Sequence, residues 1–216
     1  MNTRPVSADA NPLRDKRELT KGVDVAAAGG LYVMAISPDR STEREHAASR
    51  WSREGDLVGP RHYIHHPSLN IVYFSNEQSC SVTAYRLDRS NGALSSVQTI
   101  STLPAGHSER TTCSQIHVTP SGRYLYVGNR AANGSSIAAF AADPATGQLT
   151  VAGHTPTEAV PSAFCLDPAG HFLFAVGTAS GRLASYRINQ QTGALTPLAV
   201  AEVGQRAAAV LATRLH

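Results

Sequence analysis

The sequence predicts an all-β protein: a β-propeller of four-stranded antiparallel blades, held in part, as about three full blades plus strands of others. Three observations predict it. Three segments superpose by their turns at a period of roughly 50 residues, the spacing of repeated supersecondary units. They are "HHPSLNIVYFSNEQSCSVTAYRLDRSNGALSSVQ" from His65, "VTPSGRYLYVGNRAANGSSIAAFAADPATGQLTVAG" from Val118 and "LDPAGHFLFAVGTASGRLASYRINQQTGALTPLA" from Leu166. Each unit carries strand-like runs split by Gly, Pro, Asn and Asp turns, four to a unit. Within those runs apolar alternation is only partial, as expected of a sheet packed on both faces.

The elements follow in order. Residues 1–25 read as a flexible polar arm, with no apolar stretch of signal-peptide type. Residues 26–58 read as a partial blade: "GGLYVMAISPD" suits an outer strand, and "STEREHAASRWSREGD" an irregular or helical insertion. Residues 59–216 hold the blades. Each begins with a turn proline (Pro67, Pro120, Pro168) and ends with a Gly-x-Leu turn at Gly92, Gly147 or Gly193. In the middle unit the strands are expected near 113–118, 123–128, 136–142 and 148–153. The closing "RAAAVLATRLH" reads as one more strand. The Gly-His and Trp-Asp signature of the tryptophan-aspartate propellers is absent, so the blades are of another type.

Composition narrows the function. With 42% hydrophobic residues in 216, the chain can bury a sizeable core. A net charge of +3 without a Lys/Arg-rich run excludes a nucleic-acid reader but suits a small anionic ligand. No apolar run approaches the roughly 20 residues of a membrane span. Cys80, Cys113 and Cys165 are odd in number and lack zinc spacing, which reads as free thiols in a reducing cytoplasm. No nucleophile elbow, P-loop or H-E-x-x-H occurs, and no His–carboxylate pair has ligand spacing, so neither a metal nor another cofactor is expected.

The repeat register places polar residues together. "NIVYFSNE", "RYLYVGNR" and "HFLFAVGT" superpose without gaps, so Glu77, Arg130 and Thr178 share one position, preceded by Asn76, Asn129 and Gly177. Equivalent positions of adjacent blades are neighbours around a propeller axis. Each blade's first strand lines the channel, and there lie Arg61 and His62, Gln115 and His117, and Ser162. Charges before loops are commonly just solvated and histidines before turns commonly structural, as expected of His65 and His66. The coincidence across blades is what selects Arg61, His62, Glu77, His117 and Arg130 as a site at one channel mouth.

These residues resemble the propeller-type 6-phosphogluconolactonase, or lactonase, family, which includes carboxymuconate-lactonising cycloisomerases. The match rests on "GPRHYIHHP", "SNEQSCSVTAYRL", "QIHVTPSGRYLYVGNR", "PTEAVPSAFCLDPAGHFLFAVG" and "VGQRAAAV". The resemblance implies a seven-bladed ring, of which this chain would hold the C-terminal part, and metal-free hydrolysis of a sugar-acid lactone in carbohydrate metabolism. The family generally keeps Arg61, His62, Asn76, Glu77, His117 and Arg130; on the chemistry of these residues His117, Glu77 and Arg130 are the catalytic candidates, and Arg61, His62, Asn76 and Gln115 the substrate-binding ones. His117 or Glu77 would activate water, and Arg130 with His62 would stabilise the oxyanion or hold the anionic group. Three positions depart from the family pattern: Gln115 replaces an acid, Ser162 an arginine and Thr178 a glutamine. The alternatives are a lactone-forming cycloisomerase and a non-catalytic binding module. The expected partner is a small anionic lactone, with no nucleic acid and no membrane; unpaired sheet edges would favour self-association.

Overall fold

The computed structural model describes residues 59–131 and 134–213, together with the backbone of two earlier strands. Residues 1–22 and 36–58, where most of the polar arm and the irregular insertion are expected, lie outside the described residues. The early strands, β1 (Val23–Ala27) and β2 (Leu31–Ala35), pair antiparallel. Three sheets follow. The first contains β3 (Pro60–His65), β4 (Ile71–Asn76), β5 (Ser81–Leu87) and β6 (Leu94–Ser101). The second contains β7 (Thr111–Val118), β8 (Tyr124–Ala131), β9 (Ser136–Ala142) and β10 (Leu149–Pro156). The third contains β11 (Pro161–Leu166), β12 (Phe172–Gly177), β13 (Arg182–Ile188) and β14 (Leu195–Glu202). Each is an antiparallel meander, and no described residue is helical.

The first strands meet from sheet to sheet: β3 packs against β7 and β7 against β11. That is the radial arrangement of propeller blades, with the first strand innermost. The partial alternation of the sequence has its cause here. In β8, Leu125 and Val127 join Tyr73, Val82 and Ala84 of the first blade, while Tyr124 and Tyr126 turn the other way onto Phe164, Leu173 and Ala175 of the third. Successive side chains point to opposite faces and both faces are covered, so the run Tyr124–Val127 is apolar without alternation. Fully burying each large apolar side chain contributes about 1.5–3 kcal/mol.

Tyrosine hydroxyls fasten blade to blade, two of them at equivalent positions. Tyr73 Oη donates to the Gly147 carbonyl at 2.7 Å, and Tyr126 Oη to that of Gly193 at 2.9 Å. These are the glycines of the Gly-x-Leu turns. Gly147 has φ +71°, and a Cβ there would stand 2.9 Å from the Ile71 side chain. Both the backbone conformation and the close approach therefore require glycine.

Two expectations need correction. The second strand of the middle blade, placed at 123–128, runs on to Ala131, because Thr112 and Arg130 continue the β7–β8 ladder. Arg130 thus sits inside a strand rather than just past its end. The closing run from Arg206 forms no strand through residue 213; it has no ladder partner and is held by contacts such as Thr178 Oγ1 to the Ala207 carbonyl, 3.3 Å.

Candidate functional site

Each innermost strand is bulged at the same place: between Pro60 and His62 in β3, between Cys113 and Ile116 in β7, and between Pro161 and Ala163 in β11. A bulge inserts one unpaired residue and re-aims the side chains around it. In the first blade the inserted residue is Arg61. Neighbours on a regular strand face opposite sides, yet Arg61 Nε donates to His62 Nε2 at 3.1 Å.

Arg61 also reaches Glu77. Its Nη1 donates to Glu77 Oε1 at 3.0 Å, and the same oxygen accepts from Arg130 Nη2 of the second blade. One carboxylate oxygen therefore joins guanidinium groups from two blades. All three side chains are partly shielded, at 17% exposure for Arg130, 28% for Glu77 and 32% for Arg61. Arg130 Nη2 further faces the Cys113 carbonyl at 3.4 Å, while its Nε is buried with no hydrogen-bond partner. The cluster carries two positive charges and one negative.

His62 and His117 complete the group. Burial holds the His62 pKa below its usual 6.5; Arg61 lowers it further, Glu77 opposes, and Arg130 lowers it again. Burial also lowers that of His117, opposed by a backbone hydrogen bond to Phe164 and assisted by the His62 charge. The His117 ring meets Phe164 edge-on, with centroids 4.7 Å apart.

Asn76 and Gln115 are placed nearby with their amides engaged. Asn76 is 2% exposed, and its Nδ2 donates to Ser81 Oγ and Thr83 Oγ1, each at 2.9 Å. Gln115 Oε1 accepts from the Phe164 N–H at 2.9 Å, tying β7 to β11. Ser162 Oγ turns back toward the Val160 carbonyl at 3.5 Å. His66 is structural: its Nδ1 accepts from the Ser68 and Leu69 N–H groups and its Nε2 meets the Gly122 carbonyl.

The sequence reading missed the support beneath Glu77. Cys113 donates its N–H to the Glu77 carbonyl at 3.1 Å and its thiol to the Asn76 carbonyl at 3.0 Å. Cys80 directs its thiol to the Thr111 carbonyl at 3.1 Å. Burial raises both thiol pKa values, that of Cys113 to about 12. Among the described residues no three His, Cys, Asp or Glu side chains gather as a metal would require, and there is no helix long and apolar enough to cross a membrane.

Residues 31–212 match the model of the family "Lactonase, 7-bladed beta-propeller". A 6-phosphogluconolactonase of Pectobacterium carotovorum is 42% identical over 148 residues, covering 68% of this chain and 44% of that protein. One of Sodalis glossinidius is 40% identical over 183 residues, covering 81% and 55%. Among solved structures, a Lactobacillus plantarum protein superposes with a TM-score of 0.72 at 25% identity, over 85% of this chain and 52% of that one. The periplasmic gluconolactonase of Pseudomonas aeruginosa does so with 0.70 at 27%, over 82% and 49%. The chain spans about half the length of the proteins it matches.

Proposed function

Because the chain belongs to the seven-bladed β-propeller lactonase family, we propose that it opens a sugar-acid lactone of the 6-phosphogluconolactone kind by adding water. The observation that carries this reading is the Arg61–Glu77–Arg130 cluster with His62, built from the first strand of one blade and the second strands of two.

In this mechanism His117 takes a proton from water as the water oxygen attacks the lactone carbonyl. The edge-on contact with Phe164 orients the ring, and the neutral imidazole has one nitrogen without a proton to accept it. Glu77 Oε1 already accepts from two guanidinium groups, which supports giving the base role to His117 and the positioning of both arginines to Glu77. Arg130 and His62 stabilise the carbonyl oxygen as it becomes an oxyanion. Removing one such donor typically raises a barrier by about 2.7–4 kcal/mol. Protonated His117 then returns its proton to the leaving ring oxygen, and the open hydroxy-acid is released.

The test is loss of 6-phosphogluconolactone above its spontaneous rate, with His117→Ala and Arg130→Ala alongside. Each variant is expected to fall at least about a hundredfold; equal rates for all three would end the reading. A second reading, an anion-binding propeller without turnover, is favoured by the third blade, which brings Ser162 and Thr178 where the first brings Arg61 and Glu77. Calorimetric binding of 6-phosphogluconate with no lactone turnover would select it. We also propose a cytoplasmic location, supported by three free, buried cysteines and checked by cell fractionation, and self-association through uncovered sheet surface.

A further inference from the structure

The bulge in β3 does more than expose a charge. A guanidinium N–H can only donate, so the 3.1 Å bond from Arg61 Nε makes His62 Nε2 an acceptor. The ring proton of a neutral His62 must then lie on Nδ1. We propose that Arg61 is a positioning residue which, acting through this bond, fixes His62 as the neutral Nδ1–H imidazole and so makes it a hydrogen-bond donor to the substrate's carbonyl oxygen, not a proton acceptor. The role rests on the lactonase reading for its consequence and on the bulge geometry for its existence.

Of the charges around His62, Arg61 on β3 and Arg130 on β8 disfavour a second proton on the ring, and Glu77, just past the end of β4, opposes them; His117 on β7 is the other titratable group facing it. Glu77 is itself tied by one oxygen to both arginines, which fixes the Arg61 side chain from its far end. A neutral imidazole in such a setting polarises a carbonyl without surrendering its proton. The other blades show that the pairing is particular to this one. At the places of Arg61 and His62, the second blade has Ser114 and Gln115, which bond across to Pro161 and Phe164 of the third blade. The third blade has Ser162 and Ala163. Only the first bulge presents an arginine and an imidazole together.

The decisive experiment is a long-range proton–nitrogen correlation spectrum of the intact chain, with His62 assigned through His62→Gln, recorded from pH 5 to 8 for the wild type and Arg61→Met. The expected wild-type result is an Nδ1–H ring that stays neutral below pH 6.5. In Arg61→Met the expected result is a move toward the Nε2–H form and a higher titration midpoint. An Nε2–H ring in the wild type overturns the proposal by itself, whether or not the variant folds. An unchanged tautomer and midpoint in a folded Arg61→Met also overturns it. In turnover, Arg61→Met is expected to lower kcat more than it raises KM. An Nδ1–H ring in a chain that turns over no lactone would sink the lactonase reading and leave the assignment of Arg61 standing.

Discussion

At Glu77 a single oxygen takes hydrogen bonds from guanidinium groups of two blades, so this carboxylate keeps two like charges in one place. Replacing it leaves Arg61 and Arg130 facing each other without compensation. Glu77→Gln, which preserves shape, is expected to lower stability by about 1–3 kcal/mol, the usual cost of an unsatisfied polar partner, and urea unfolding measures it. Part of that loss should return at high salt, which screens the remaining repulsion; a variant as stable as the wild type would show that the bond contributes nothing. His117 gives a second test through pH. Its folded pKa lies below 6.5, so its basic form persists below that value and is lost as pH falls through the lowered one. The acid limb of kcat/KM should therefore lie below pH 6.5. A limb at or above 6.5 would remove His117 as the base. The same sign governs folding: His62, His65, His66 and His117 all have lowered values, so the unfolded chain binds more protons. Their contribution is complete above 6.5 and fades as pH drops through the native values.

At the scale of strands and turns, the tyrosine-to-glycine bonds make each blade a template for the next. Tyr126→Phe removes only a hydroxyl and should cost about 0.5–1.5 kcal/mol plus whatever the orphaned Gly193 carbonyl adds. Gly147→Ala should cost at least as much, since alanine meets both the left-handed backbone and the Ile71 side chain. Denaturant midpoints of the two variants check this, and an unshifted Gly147→Ala would contradict the packing. These turns were legible because proline and Gly-x-Leu punctuate every repeat, and the four strands of the middle blade were recovered within a few residues. The bulges were not legible. One unpaired residue changes neither composition nor apolar spacing, so nothing in "GPRHYIHHP" tells that Arg61 and His62 bond each other. The capture of Gln115 by the Phe164 amide was hidden likewise, because it depends on where β11 lies and not on β7 itself.

Across the whole molecule, rotation from blade to blade brings together Glu77 and Arg130, 53 residues apart in sequence. That gathering was legible from the repeat alone, because equivalent positions of rotated sheets must be neighbours. The same rotation exposes a difference at the third blade. Positions Tyr73 and Tyr126, whose hydroxyls fasten the following blade, correspond to Phe174, which has none. All of β4 is buried, and all of β8 but Arg130, whereas Phe172 and Phe174 of β12 are only half-buried. An aromatic face of this kind gains by being covered, and a second copy carries the same surface. The expected outcome is concentration-dependent association: light scattering should report a mass above 22.8 kDa that falls on dilution. Phe174→Glu should shift the population toward monomer, because pairing this face would then bury an uncompensated charge. A soluble monomer at every concentration would refute self-association; an assembly indifferent to Phe174→Glu would place its contact on another surface.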